Sequence, residues 1–369
     1  MTHLVGASIV GAGHTRFGAL AEGPRALLRS AVEEARKSVD RGLPRDAIDT
    51  VFLASLGFGG WQIGNASAVL AEEAGTVGAS VTRVENACAS GGYALRAATD
   101  AVGSGRSKLA LVVGLEKMTD IPNARRRYWL GVSGDTEWER LSGLTFAGVY
   151  GLLASRYIAD HRDARDALAE VAVKNHQNGL ANPNAQFRKA LTREAVLAAP
   201  KVADPLGLLD CCPVSDGAAA LLVAPSEEAH RYTDTPVAVV GTGAASDFLA
   251  VQDRADPTHF AATRRAADEA FRGSPFDRRA VSLLEVHDCF TIAELLALED
   301  LGYAEAGGAV RLTLEGSTAK TGRWPVNVDG GLKAKGHPIG ATGVSQAYEG
   351  YLQLRAQAGA RQVPGAERA

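Results

Sequence analysis

The stretch Gly330-Gly331-Leu332-Lys333-Ala334-Lys335-Gly336-His337-Pro338-Ile339-Gly340-Ala341-Thr342-Gly343 decides how the rest of the chain is read. Its glycines call for a tightly folded loop, and Pro338 restricts His337 to an extended backbone. A helical pattern, Gly343–Ala358, follows at once. A second small-residue turn, Cys88-Ala89-Ser90-Gly91, opens another helical pattern, Gly91–Val102. In both turns the reactive residue stands three positions before a glycine. Each half also opens on a similar run: Ser8-Ile9-Val10-Gly11-Ala12-Gly13 in the first, Ala238-Val239-Val240-Gly241-Thr242-Gly243 in the second. Two copies of a βαβ-rich unit related by a pseudo-twofold axis would bring Cys88 and His337 together. A lone GxG is weak support for a dinucleotide site, since no acidic residue stands at the ribose offset.

Outward from these turns, short β-branched runs alternate with longer Ala/Leu-rich stretches, the pattern of an α/β protein with buried strands. Expected strands are Ala7–Val10, Val51–Ala54, Leu109–Val113, Ala218–Val223, Val237–Val240 and Ser282–Val286. Expected helices are Pro24–Asp40, Gly91–Val102, Arg264–Phe271, Thr291–Leu301 and Gly343–Ala358. Residues 118–208, with Arg125–Arg127 and the aromatics Tyr128, Trp129, Trp138 and Tyr150, read as an insertion over a sheet edge that shapes a substrate tunnel. The division that follows is 1–117 for the first half, 118–208 for the inserted loop domain, 209–235 for a return strand, and 236–369 for the second half.

The 369 residues exceed what one hydrophobic core usually serves. A net charge of −3 gives no electrostatic ground for nucleic-acid binding, and no apolar run is long enough to cross a membrane. The N-terminal residues 1–6 enter a strand-like run without a signal-peptide flank, and the C-terminal residues carry no retention signal. Four cysteines without CxxC spacing argue for free thiols and a cytoplasmic setting.

The chemistry-bearing residues are few. Cys88, ahead of a helix, would feel its unpaired N–H groups, which favour thiolate; a buried structural cysteine is the plainer alternative. His337 can act as base towards a thiol, although a lone histidine is as readily structural. In Glu285-Val286-His287-Asp288-Cys289-Phe290 the alternation of an extended chain projects His287 and Cys289 to one face and Asp288 and Phe290 to the other. A zinc site is the rival there, and only if Cys88 and His337 join; no metal is expected. Cys211-Cys212 read as packing residues, and Arg125–Arg127 as a solvated face or interface.

At these residues the sequence resembles the thiolase superfamily, nearest to the sterol-carrier-protein-type and archaeal-type acetyl-CoA acetyltransferases. The likeness lies in Asn86-Ala87-Cys88-Ala89-Ser90-Gly91, His287-Asp288-Cys289-Phe290 and Gly336-His337-Pro338-Ile339-Gly340-Ala341-Thr342-Gly343. Asp216-Gly217-Ala218-Ala219-Ala220, Lys174-Asn175-His176 and Asn182-Pro183 extend it, and it runs from about residue 5 to residue 358. The resemblance implies a five-layered αβαβα thiolase fold of two duplicated halves with an inserted loop domain. It implies Claisen chemistry on coenzyme A thioesters, which are substrates, with no other cofactor and no assigned coenzyme-binding residues. Cys88 would hold the acyl group and His337 would take its proton. Cys289 would move the α-proton of the second acyl-CoA, and His287 would help bind the enolate oxygen. Relatives are homodimers or homotetramers, and archaeal-type ones pair with a small zinc-ribbon/OB-fold accessory protein. They also continue past Gly365-Ala366-Glu367-Arg368-Ala369 into a glycine-rich strand that helps complete the oxyanion hole, so either a partner or neighbouring subunit fills that place beside Cys88, or the chain is truncated, or the reaction differs. Two alternatives stay open: a thiolase-like aldolase, whose relatives replace the cysteine and use tyrosines, and a scaffold subunit of a coenzyme-A-channelling complex.

Overall fold

A computed structural model describes residues 6–60 and 64–369. The strand-like opening at residues 1–5 lies outside the described residues. The strands are β1 (Ala7–His14), β2 (Thr50–Ala54), β3 (Ser80–Val84), β4 (Ala110–Glu116), β5 (Lys201–Ala203), β6 (Leu206–Gly207), β7 (Gly217–Pro225) and β8 (Val237–Val239). Six of them form one sheet in the order β3-β2-β4-β7-β1-β8, while β5 and β6 pair separately. β2 runs parallel to β3 and β4; β7 is antiparallel to β4 and β1, and β8 is antiparallel to β1.

Alternation along β7 shows why both faces are covered. Ala218, Ala220, Leu222 and Ala224 enter one core, and Ala219, Leu221 and Val223 enter the other. Over the first face lies the helix Pro24–Lys37, which starts on a proline and buries Leu27, Leu28, Ala31, Val32 and Ala35. Over the second face lie Ser90–Gly103 and Thr342–Leu354, one helix from each half, contributing Ala94, Ala98, Val102, Val344 and Tyr351.

The repeated glycine runs turn out to be packing devices. A Cβ on Gly13 would sit 2.2 Å from the Ala31 carbonyl oxygen, and one on Gly11 would sit 2.8 Å from that of Ala35. In the second half a Cβ on Gly243 would sit 1.8 Å from the Ala266 oxygen, and one on Gly241 would sit 2.1 Å from that of Ala270. Each half thus lays two glycines directly on a helix backbone at alanines four residues apart, a contact that any side chain would block.

These contacts trace the αβαβα order: outer helices, the sheet, two central helices, the segment around Val239–Ala245, and the outer helix Ala261–Arg272. The second β layer differs from the expected one. Ser282–Val286 forms no laddered strand; among the described residues it makes one parallel bridge, Leu284 to Val326, with separate bonds from the Ser282 N–H to the Arg368 carbonyl and from the Val286 N–H to Asn327, and β8 pairs with β1 instead. The insertion also departs from expectation. It leaves β4 and returns in β7, which are adjacent central strands, so it rises from the middle of the sheet and not from an edge. It is mostly helical, and its helices Phe146–Asp160 and Ala164–Gly179 share a second core with Thr291–Asp300.

Candidate active site

Two turn-and-helix units build the site. After β3 the chain turns at Ala87–Ala89 and enters the helix at Ser90. Ala87 takes φ 44°, a strained left-handed value for a residue with a Cβ, directly before Cys88. Ser90 clamps this turn: its Oγ accepts from the Asn86 N–H at 2.8 Å and donates to the Ala87 carbonyl at 2.6 Å. In the second half the turn Ile339–Ala341 precedes the helix at Thr342, whose Oγ1 donates to the Pro338 carbonyl at 3.1 Å.

The two units touch at glycines. A Cβ on Gly91 would lie 2.7 Å from the Val344 nitrogen and 2.9 Å from Gly343 Cα; one on Gly343 would lie 2.6 Å from the Gly92 nitrogen. Gly91 therefore matches Gly343, and Cys88 matches Gly340. The three-residue match of His337 to Cys88 is corrected, because backbone contact sets the register. The expected meeting still occurs, with Cys88 Sγ 3.3 Å from His337 Nε2.

The proton on His337 can be placed. Thr342 Oγ1 spends its hydrogen on Pro338, so at 2.7 Å it accepts from Nδ1–H of His337. Nε2 then presents its lone pair to the thiol. The loop is held from outside: the His337 N–H donates to Ser215 Oγ at 2.9 Å, and the Gly340 N–H donates to Glu116 at 3.0 Å. Glu116, buried at the end of β4, also accepts from the Leu56 and Phe58 N–H groups and from Ser55 Oγ.

Protonation differs from the expectation at the helix end. Burial, followed by the Glu116 charge, pushes the Cys88 thiol up to about 12, so the resting group is a neutral thiol. The enclosing protein removes more solvation than the helix terminus returns. Burial holds His337 well below its ordinary value, with the neighbouring His287 and Lys335 adding to the effect. A neutral S–H facing a neutral imidazole is the resting pair.

Cys88 borders two cavities. The larger, about 560 Å³, is lined by Cys88, His287, Arg96, Gly243, Gly343 and Gln346, and lies within the loosely bridged second β layer. The smaller, about 170 Å³, is apolar and is lined by Cys88, Cys289, Met118, Leu130, Phe146 and Phe290 among others. His287 and Cys289 therefore flank Cys88 from different cavities. The chain bends at Cys289, which breaks the alternation assumed for an extended segment and turns Phe290 into the same cavity as Cys289. Asp288 does face away, accepting from the Leu332 and Lys333 N–H groups and from Asn175.

His287 meets His337 edge-on with ring centroids 4.8 Å apart, and burial lowers it to about 4. The ligand atoms of Cys88, His287 and His337 lie within 4.8 Å of one another, and Cys289 stands outside that group. Burial, with the Cys212 and Cys88 thiols next, pushes Cys289 well up.

Sequence reasoning left four residues of the site unassigned. Tyr150 stacks on Phe290 at 4.5 Å, beside the cavity that Phe290 and Cys289 line. Glu116 reads in sequence as the end of an apolar strand. Cys211 and Cys212 both line the small cavity, because their segment is pinned across Cys289 and Phe290 by the Cys212 N–H bond to the Cys289 carbonyl. Only Tyr150, an aromatic in an insertion over the site, left a signal in sequence.

Comparison with known proteins agrees with this geometry. Residues 7–227 match the family described as thiolase, N-terminal domain, and residues 243–369 match the thiolase C-terminal domain-like family. An acetyl-CoA acetyltransferase of Methanothermobacter thermautotrophicus is 42% identical, over 98% of this chain and 94% of that protein. Human sterol carrier protein 2 is 30% identical, over 97% of this chain and 68% of its own length. Among solved structures, an Ltp2-ChsH2(DUF35) aldolase superposes with a TM-score of 0.85 at 22% identity, covering 98% of this chain and 93% of its own. Human mitochondrial 3-ketoacyl-CoA thiolase does so at 0.75 and 18%, covering 96% and 93%. The duplicated glycine packing, the paired turns around Cys88 and His337, and these family matches place the chain in the thiolase superfamily.

Proposed function

We propose that this chain forms or cleaves 3-ketoacyl-CoA by Claisen chemistry through an acyl group carried on Cys88. The observation that carries the proposal is the 3.3 Å contact between Cys88 Sγ and the unprotonated Nε2 of His337. A thiol with so high a pKa attacks a thioester only as its proton leaves, and His337 is placed to take it during attack. Cys289, across the small cavity, is assigned to the α-proton of the second acyl-CoA, so that one sulfur holds the acyl group while another moves the proton. His287 is assigned to the developing enolate oxygen, where an aimed N–H contributes most. The substrates are acyl-CoA thioesters, with the apolar cavity receiving the acyl end.

The same proposal includes a homodimer or homotetramer in the cytoplasm, with a small zinc-ribbon/OB-fold accessory protein. Two observations support it: four free cysteines, and the second β layer left open beside Cys88. No described helix is long and apolar enough to cross a membrane.

The test is intact-protein mass after incubation with acetyl-CoA. Wild type should gain one acetyl group and Cys88→Ala should gain none. An identical adduct on Cys88→Ala, or none on wild type, defeats the assignment. Retention of Cys88 against His337 favours this reading over an aldolase.

A further inference from the structure

We infer that the free site is also a zinc site, formed by Cys88, His287 and His337, and that zinc bound there blocks the Cys88 thiol. The three ligand atoms come from three separate chain segments and already lie within 4.8 Å of one another. Tetrahedral zinc, with Zn–S about 2.3 Å and Zn–N about 2.0–2.1 Å, sets its ligands roughly 3.4–3.6 Å apart. The Sγ–Nε2 separation of 3.3 Å is close to that edge, and the remaining separations, within 4.8 Å, need to close by up to about 1.4 Å.

The donors also suit the ion. One thiolate and two imidazoles form a soft nitrogen–sulfur set that favours zinc over oxygen-seeking calcium or magnesium. His337 is oriented as zinc histidines are: its Nδ1–H is held by Thr342 Oγ1 at 2.7 Å, leaving Nε2 to ligate. The His287 ring reaches the same point from its edge-on position against His337. Cys289 stands outside the trio, so three protein ligands leave the fourth position to water from the larger cavity that Cys88 and His287 line.

Binding balances as a proton exchange. The Cys88 S–H bond breaks, a Zn–S bond forms, the proton passes to solvent, and no electron is transferred. In the bound form one sulfur lone pair is donated to zinc, which lowers the nucleophilicity of the sulfur, and Nε2 is no longer free to take a proton. Zinc is therefore a reversible blocker of this site and not part of its chemistry.

The test needs no thioester, so it is separable from the acyl-transfer proposal. Metal-stripped full-length protein is titrated with zinc chloride by calorimetry, and Cys88 alkylation by iodoacetamide is followed by peptide mass. One zinc should bind per chain, and one equivalent should slow Cys88 labelling at least tenfold, with recovery on adding chelator. Cobalt should give a thiolate-to-metal charge-transfer band. Cys88→Ala and His287→Asn should each weaken zinc binding at least tenfold, while Cys211→Ser should leave it unchanged. Thermal melts of each variant show whether a loss reflects unfolding, and labelling and the cobalt band on wild type do not depend on any variant. Unchanged Cys88 labelling with zinc, or equal zinc affinity in folded Cys88→Ala, overturns the inference.

Discussion

At Cys88 two opposing effects meet. A helix N-terminus favours thiolate, whereas enclosure by protein favours thiol, and here burial wins because the sulfur pushed up to about 12 has lost most of its water. In the proposed reaction such a thiol depends on His337 at the moment of attack. His337→Ala should therefore slow acyl-adduct formation about 10²-fold or more, the size of a general-base contribution, as read by rapid-quench mass spectrometry. Tyr150 tests the other sulfur. It stacks on Phe290 in the wall that Cys289 shares, so Tyr150→Ala should leave the Cys88 adduct rate nearly unchanged but slow condensation about tenfold, the worth of one aromatic stack. Equal losses in both steps would mean that Tyr150 only supports the fold. Cys88, His287, Cys289 and His337 were all legible as residue types in motifs. Glu116 was not, because its role comes from contacts across long sequence separations, and Tyr150 was legible only as an aromatic of the insertion.

Among the elements, the contact between the helices Ser90–Gly103 and Thr342–Leu354 sets the site's geometry. It works only without side chains at Gly91 and Gly343. Gly91→Ala should cost about 1–3 kcal/mol by overpacking and should push Cys88 away from His337, so urea unfolding and adduct rate should fall together. Gly92→Ala is the control, since a Cβ there meets nothing within 4 Å, and a helix gains up to about 1 kcal/mol from the exchange. The helices at 24, 90, 261, 291 and 342 were readable as Ala/Leu-rich stretches, although Thr291–Asp300 is buried on nearly every side and has no solvent face. Ser282–Val286 was misplaced because an apolar run specifies burial without specifying a strand partner. β3 was missed because its residues are largely accessible and mixed in character.

The whole molecule is joined across its halves by buried histidines as well as by helices. His14, in β1, bonds through Nε2 to Ser345 in the second half's central helix at 2.7 Å, and burial with the Lys335 charge lowers it to about 3. Its folded pKa lies below its unfolded value of about 6.5, so the unfolded chain binds the extra proton and stability is lost as pH falls from 6.5 towards 3. Between pH 7.5 and 5.5 that loss is about 1.4 kcal/mol. Glu285 and Asp288, raised by burial, act with the opposite sign and gain stability over the same fall. The clean measurement is therefore the difference between wild type and His14→Gln, which should shift by about 1.4 kcal/mol in the variant's favour on going from pH 7.5 to 5.5. A constant difference would show that His14 titrates normally. By itself the sequence determined the α/β class, the duplication, the principal helices and the residue types of the motifs around Cys88, His287, Cys289 and His337, because periodicity and motif composition are local properties of a chain. Only the tertiary structure decided the Gly91–Gly343 register, the neutral Cys88–His337 pair and the division of His287 and Cys289 between two cavities. Each of those depends on which distant segments exclude water from one another, and no local pattern encodes that.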